Sequence, residues 1–269
     1  MLKDITFGQY FESDSFVHRL DPRTKILLLF LIIVFIFVSQ NFVSLGLLTL
    51  LILFSVLLSK VPVKMYLKNL KAILPIIIFT FIINLFYNAS GEIIISFWKL
   101  TITTGSLYRA LYMSARILLL IIASAELTYA TTPNDLTDAI EKLLSPLQFI
   151  GLKNAVHTLA MMMTIALRFI PTLIEETQKI MNAQKARGAD LENGKLIDRI
   201  KALIPILIPL LISSVRRAYE LAEAMECRCY NGGEGRKRMK QLKYNFNDII
   251  SFVVVLLVCA GVIIFNILF

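Results

Sequence analysis

Residues 26–59 contain no Asp, Glu, Lys or Arg, and this run constrains the fold more than any other feature of the chain. As one helix it would be about 50 Å long, well beyond the ~30 Å hydrocarbon core of a bilayer. Its only polar cluster is Ser39-Gln40-Asn41, where we predict a turn. The run therefore predicts two membrane-spanning helices, over residues 24–39 and 42–58.

Two further charge-free runs predict spans of their own. Residues 72–91 form the third span, with Pro75 in its first turn, where a missing N–H costs little. The last span covers residues 249–269, and Asn247-Asp248 is suited to cap its start.

The fourth predicted span, residues 107–130, is apolar but carries two charged side chains, Arg116 and Glu126. An arginine at the centre of a span costs about 2.5–3.5 kcal/mol on insertion scales. We therefore expect Arg116 to face protein or water rather than lipid.

Composition agrees with the membrane assignment, because 57% of the residues are hydrophobic and only 17% are charged. Soluble domains have roughly 45–50% apolar and 25% charged residues. These values exclude a disordered chain and a typical soluble enzyme, and the three cysteines are too few for a secreted disulfide scaffold. We predict an all-α integral membrane protein with about five transmembrane helices and long amphipathic cytoplasmic helices. The predicted regions are 1–130 with four spans, 131–248 at the cytoplasmic surface, and 249–269 as the last span.

The net charge of +9 is explained mainly by topology. With the N-terminus in the cytoplasm, every Lys and Arg except Lys99, Arg109 and Arg116 falls on the cytoplasmic side. This is a strong positive-inside pattern for a multi-pass protein of the cell membrane. Nothing in the chain resembles a nucleic-acid-binding motif, so we expect the partners to be the bilayer and other proteins.

The cytoplasmic region contains two apolar runs, 155–167 and 202–215, which we interpret as interfacial rather than spanning. An amphipathic helix follows the first run, from Ile170 to Arg187, and Gly188 is predicted to end it in the left-handed conformation. A second amphipathic helix follows the same plan and ends at Arg228.

The two terminal arginines have two interpretations. Arg187 and Arg228 could be ordinary cations that interact favourably with the negative end of a helix dipole. Alternatively, they present guanidinium groups to acidic or carbonyl-lined pockets of a partner. The duplication of the motif suits a partner with two-fold or pseudo-two-fold symmetry.

Several short motifs, in this order and spacing, resemble the transmembrane (T) component of energy-coupling factor transporters, which are ABC-type importers of vitamins and metals. The resemblance covers nearly the whole chain. It is carried by Asp14-Ser15, by His18-Arg19-Leu20-Asp21-Pro22-Arg23-Thr24-Lys25, by Arg116, Thr132-Pro133, Pro146-Leu147, Arg168-Phe169-Ile170-Pro171 and Glu175-Glu176, and by Ala183-Gln184-Lys185-Ala186-Arg187-Gly188.

In that family two Ala-Arg-Gly-like motifs end long cytoplasmic coupling helices and dock on two ATP-binding cassette ATPases. The resemblance assigns this role to Ala186, Arg187 and Gly188, a full match, and to Cys227, Arg228 and Cys229, where cysteines replace the Ala and Gly. It also implies a membrane-embedded, substrate-binding S component as a partner. ATP and Mg would be bound by the ATPases, and this chain would carry no cofactor.

Other residues of the resemblance are structural or functional candidates. From the residues alone, Asp21 can cap a helix that starts at Pro22, and the cations Arg23 and Lys25 would then snorkel to the membrane interface. The remaining candidates are Arg116, Arg168, Pro171, Glu175 and Glu176.

We predict neither a catalytic nor a metal site. Residues 188–195 fail as a phosphate loop, because five residues separate the glycines and Leu196 stands in place of Ser or Thr. Cys227 and Cys229 have no second cysteine pair or histidine cluster to complete a zinc site. Two alternatives stay open, a stand-alone secondary transporter and an intramembrane protease that would use Glu175 and Glu176.

Overall fold

The computed structural model describes residues 10–86, 93–97, 100–146, 153–188, 196–230 and 242–268. The chain divides into two compact units, one of residues 8–139 and 242–269 and the other of residues 1–7 and 140–241. The elements are α1 (Pro22–Val38), α2 (Phe42–Ser59), α3 (Val63–Phe86), β1 (Ile93–Phe97), β2 (Leu100–Thr103), α4 (Thr104–Ala130), α5 (Pro133–Leu143), α6 (Lys153–Ala186), α7 (Leu196–Glu226) and α8 (Phe246–Leu268).

The first unit is a helical bundle built from α1, α2, α3, α4 and α8. Its core lies where α1, α2, α4 and α8 meet, around the fully buried Ile36, Leu48 and Val262. The start of α1 contacts the start of α8, since Asp21 N–H donates to Asp248 Oδ1 at 2.8 Å. The end of α8 contacts the start of α2, where Ser44 Oγ donates to Asn266 Oδ1. Helices α1 and α8 therefore run in the same direction and α2 runs in the opposite one, as expected of membrane spans that are joined by short turns.

Five of the described helices are long and apolar enough to cross a membrane, which confirms the all-α membrane fold. They are Phe42–Ser59, Val63–Phe86, Thr104–Ala130, Ala155–Ala186 and Phe246–Leu268. The set differs from the predicted one at two places. The helix at the predicted first span, α1, has 17 residues and is thus shorter than these five. The helix Ala155–Ala186, which we expected to begin with an interfacial run, is among them.

Helix α3 begins nine residues earlier than its predicted span, at Val63. Lys64, Lys68 and Lys71, which precede the predicted span, are therefore helical, and Pro75 lies inside the helix rather than in its first turn. The prediction was wrong because it followed the charge-free run. Lysine is a good helix former, and its long side chain can reach water from a helix end. A short antiparallel hairpin, β1–β2, precedes α4 and was not predicted.

Helix α8 also begins before its predicted start. Asn245 precedes it, and Asp248, predicted to cap the span, lies in its first turn and accepts from Asn245 N–H at 2.7 Å. Helix α5 has a regular N-terminal cap. Thr132 Oγ1 accepts from Asp135 N–H at 3.1 Å, and Pro133 takes the first helical position.

The second unit contains α6 and α7, of 34 and 31 residues. Each apolar run that we predicted as a separate interfacial segment is continuous with the amphipathic helix that follows it. Pro171, Pro205 and Pro209 all lie inside these helices. The interfacial prediction rested on the short length of each apolar run, which does not show whether the helix continues beyond it. A helix with good packing partners can also accommodate the N–H group that a proline lacks.

Candidate functional site

Three contacts between α6 and α7 define how the two helices run. Near the end of α6, Gln184 Nε2 donates to Pro205 O at 3.4 Å. Further back, Arg217 Nη2 donates to Glu176 Oε2 at 2.8 Å. In the first part of α6, Met161 Sδ accepts from Tyr230 Oη, just beyond the end of α7. Positions that descend along α6 meet positions that ascend along α7, so the helices are antiparallel.

Glu176 is the centre of this antiparallel pair. Its carboxylate accepts from Ser213 Oγ through one oxygen and from the Arg217 guanidinium through the other. The Glu176 and Arg217 side chains are only 21% and 34% exposed, so the ion pair is partly shielded from water. Beside it, a cleft of about 530 Å³ lies between the two helices. The place where α6 and α7 cross thus combines one polar contact, centred on Glu176, with an apolar cleft.

The first arginine motif lies at the end of α6, which ends at Ala186. Gly188 has a φ of +88° and donates its N–H to Lys185 O at 3.0 Å. This confirms the predicted left-handed glycine after the helix. Arg187 therefore lies at the C-cap, one residue beyond the helix.

The second motif has the same backbone geometry although cysteines replace the Ala and Gly. Helix α7 ends at Glu226, two residues before the predicted end at Arg228. Cys229 has a φ of +54°, the conformation that Gly188 adopts in the first motif. Cys229 N–H donates to Glu226 O at 2.8 Å and Tyr230 N–H to Met225 O at 3.0 Å. These two bonds form a complete Schellman motif, with Arg228 at the C-cap.

Both arginines are exposed, as are the residues that flank them in each motif. Within the described part of the chain, neither guanidinium has a hydrogen-bond or ion-pair partner. The antiparallel arrangement holds the two arginines far apart. Arg187 lies 26 residues along α6 from Met161, the contact of Tyr230, which corresponds to about 40 Å at 1.5 Å per residue. The pair therefore presents two unpaired cations at its opposite ends.

The two copies carry opposite charges when they are aligned at Arg187 and Arg228. Glu175-Glu176 in the first copy corresponds to Arg216-Arg217 in the second, and Lys179 corresponds to Glu220. The repeat was predicted from the sequence but this inversion of charge was not, and the inversion is the signal that would have identified Arg217 as the partner of Glu176. In an antiparallel pair with pseudo-two-fold symmetry, equivalent positions near the centre face one another, so inverted charges attract.

The left-handed cysteine gives a prediction for stability. Because a side chain in this conformation is strained, Cys229→Gly is expected to raise the stability by up to about 1 kcal/mol. Gly188→Cys should lower it by a similar amount through strain alone, since a Cβ at Gly188 would meet no atom within 4 Å. Thermal unfolding of the purified protein in detergent measures both changes.

The control is Cys227→Gly, which places glycine inside a helical turn and should destabilise the protein. A loss of stability in Cys229→Gly equal to that of Cys227→Gly would contradict the strain at Cys229.

The other candidates on α6 do not converge on one point. Arg168, Pro171 and Glu175 are exposed along the helix, whereas Glu176 has a partner across the pair. In the described residues, neither Glu175 nor Glu176 is hydrogen-bonded to a histidine, which gives the protease alternative no support. The described residues also contain no group of three or more His, Cys, Asp or Glu that could hold a metal ion.

The N-terminal motif joins helix ends of the first unit. Asp21 caps α1 as predicted, accepting from Arg23 N–H at 2.9 Å, and Pro22 takes the first helical position. Arg23 donates to Leu242 O at 3.0 Å. Lys25 does not snorkel to water as we predicted. It is buried and donates to Ala130 O at 2.8 Å, because the carbonyls that end α4 offer a cation a better site than the membrane interface.

Arg116 faces protein, as predicted for a charge within a span. Its Nη2 donates to Ser39 O, the residue that caps the end of α1, at 2.7 Å and to Tyr112 Oη at 3.1 Å. The guanidinium also lies over the Tyr112 ring, 4.8 Å from its centroid. Arg116 thus stabilises the end of α1, which lies at the opposite end of that helix from Asp21.

His18 adds a pH dependence to the N-terminal motif. Its Nδ1 lies 2.7 Å from Ser15 Oγ and its Nε2 2.9 Å from Phe11 O, and burial lowers the pKa of the imidazole below its ordinary value, with Lys25 contributing. The unfolded chain therefore binds the proton more tightly. We expect the free energy of unfolding to fall as the pH drops through about 6.5, the unfolded value.

The measurement compares thermal unfolding at pH 8 and pH 5.5 for the wild type and for His18→Gln. The variant should lose part of the pH dependence that the wild type shows. Equal pH dependence in the wild type and in His18→Gln would contradict the role of His18.

Comparison with known proteins adds an independent finding. Residues 13–240 match the model of the cobalt transport protein family CbiQ. The chain is 53% identical over 250 residues to the energy-coupling factor transporter transmembrane protein EcfT of Ruminiclostridium cellulolyticum, covering 93% of this chain and 92% of that protein. It is 50% identical to the EcfT protein of Clostridium kluyveri, with 97% of each chain covered. The EcfT protein of Bacillus subtilis is 43% identical, with 98% of this chain and 99% of that protein covered.

Proposed function

Because the chain belongs to the family of energy-coupling factor transporter transmembrane proteins, we propose that it is the scaffold that couples two ATP-binding cassette ATPases to a membrane-embedded S component. The ATPases bind ATP and Mg and hydrolyse the nucleotide, and the S component binds the vitamin or metal. This chain is a non-catalytic subunit that transmits motion between them.

The observation that carries the proposal is the pair of matched arginines on α6 and α7. Arg187 and Arg228 share the same backbone cap, are exposed and lack partners in the described residues. They lie at opposite ends of a pair with pseudo-two-fold symmetry, which suits two copies of one kind of partner. Cys229 adopts at the end of α7 the left-handed conformation that Gly188 adopts at the end of α6. A cation that only stabilises a helix end would not need the two ends to share this conformation.

The membrane orientation is part of the proposal. The start of α1 and the end of α4 lie on one side of the first unit, since Lys25 contacts Ala130. The end of α2, the start of α3 and the start of α8 lie on the same side, as the contacts Ser13–Ser59, Tyr129–Met65 and Asp21–Asp248 indicate. Most of the basic residues of this unit lie at or next to these ends. By the positive-inside rule this side is cytoplasmic, and so is the N-terminus. The protein is a multi-pass membrane protein, and we place it in the cell membrane.

Reconstitution tests the proposal. Liposomes that contain this chain, two ATPase subunits and an S component should take up the substrate of that S component only when ATP is enclosed with the ATPases. Omission of this chain should abolish uptake. Uptake by this chain alone, without ATP, would overturn the proposal in favour of a secondary transporter.

A further inference from the structure

A cavity of about 460 Å³ lies within the first unit, between α1, α2, α4 and α8. Leu28, Leu51 and Val255, three members of one buried apolar cluster, line it on the inside. Its lining also includes three residues of α2 and α8 that are exposed on the bundle surface, Phe54, Ile250 and Val254, which places its mouth between these two helices. Since α2 and α8 are long and apolar enough to cross a membrane, this mouth opens sideways into the bilayer.

The polar residues of the lining are concentrated at one end. Lys25, Ser55, Glu126 and Ser251 all lie within about two turns of those helix ends that share one side of the bundle. Deeper positions, such as Ile32, Ile52 and Ala123, are apolar. The lining therefore changes from polar to apolar with depth, as one leaflet of a bilayer does.

The polar atoms have partners within the protein. Lys25 Nζ donates to Ala130 O and His18 O, Ser55 Oγ donates to the Glu126 carboxylate, and Ser251 Oγ donates to Asn247 O at 3.0 Å. The wall that surrounds the cavity is thus mostly carbon. A cavity of this kind does not attract water, whereas interiors of proteins rarely leave such a volume empty.

We propose that this cavity binds one acyl chain of a phospholipid from the leaflet on the side of the polar end. Apolar cavities of about 150 Å³ hold a six-carbon ring, so 460 Å³ corresponds to about eighteen carbons, one acyl chain. The volume is too small for a partner helix, which is about 10 Å in diameter. The bound chain fills the gap between α2 and α8 and holds the two helices together. This inference does not depend on the proposed coupling function.

Photo-crosslinking tests the site in the wild-type protein. The full chain is reconstituted in vesicles of phosphatidylethanolamine and phosphatidylglycerol that contain a trace of phosphatidylglycerol with a diazirine on one acyl chain. After illumination, mass spectrometry should find labels at the buried positions Ile52 and Ala123. Labels confined to exposed residues such as Phe54 and Val254 would indicate ordinary surrounding lipid and overturn the proposal.

Variants that fill the cavity give a second test by native mass spectrometry of the detergent-solubilised protein. Ala123→Phe should lose most of the lipid that the wild type retains, whereas Ala260→Phe, the same change at an exposed position of α8, should keep it. If Ala123→Phe fails to fold, Ser251→Phe fills the cavity from its polar end. Unchanged lipid retention in a folded cavity-filling variant would contradict the proposal.

Discussion

Reversing the charge of both terminal arginines, Arg187→Glu with Arg228→Glu, is expected to abolish co-purification of the ATPase subunits while the chain still inserts into the membrane. Truncating one member of a buried, hydrogen-bonded charge pair in an interface costs roughly 2–5 kcal/mol, which is about 30-fold to several thousand-fold in affinity. Charge reversal adds repulsion to that loss. Since both side chains are exposed, the changes should leave the fold of α6 and α7 intact.

The matched control is Lys179→Glu with Arg216→Glu, which reverses the same number of charges on the same two helices away from their ends. Both positions are exposed, and the control should bind the ATPases as the wild type does. Each single reversal at Arg187 or Arg228 should weaken the assembly without abolishing it. Undiminished ATPase binding by the double arginine variant would exclude the docking role.

The ion pair at the helix crossing gives the second large effect. Glu176→Arg or Arg217→Glu alone is expected to lower ATP-driven uptake by about tenfold or more while the ATPases stay bound, because like charges then face each other where the helices cross. The Glu176–Arg217 ion pair contributes only about 1 kcal/mol to the stability of the fold, because it is partly exposed to water. The expected loss of uptake therefore comes from a changed crossing angle rather than from unfolding.

Combining the two changes should restore uptake. In Glu176→Arg with Arg217→Glu the charges are exchanged, and the pseudo-two-fold symmetry brings Thr172 to the place that Ser213 takes in the wild type. The new carboxylate at position 217 would then have both an arginine and a hydroxyl partner. Thermal unfolding of each variant serves as the control for folding. Single variants with normal uptake, or an exchanged pair no better than either single variant, would show that the crossing has no part in coupling.

The membrane fold could be predicted from the sequence because the bilayer imposes simple limits on length and charge. The charge-free run 26–59 gave the turn at Ser39, and α2, α4 and α8 lie close to their predicted spans. The end of α6 was also predictable, since a glycine that follows an amphipathic stripe commonly ends the helix in the left-handed conformation. These signals are local or depend on solvent alone.

Features that depend on tertiary contacts were not predictable in the same way. The burial of Lys25 depends on the carbonyl of Ala130, which is 105 residues away in the chain. The continuity of α6 and α7 through their prolines depends on packing between the helices. The partnership of Glu176 with Arg217 required knowledge that the repeats are antiparallel. These three features depend on which helices pack against each other. The periodic pattern of one helix does not reveal its packing partners.

The most direct test of the docking account is affinity purification of the tagged full chain in mild detergent, followed by identification of the proteins that travel with it. The account predicts two ATP-binding cassette subunits and a small hydrophobic subunit with the wild-type chain, and loss of the ATPases with Arg187→Glu and Arg228→Glu. Isolation of the wild-type chain without ATP-binding cassette subunits, or their retention by the double variant, would contradict it.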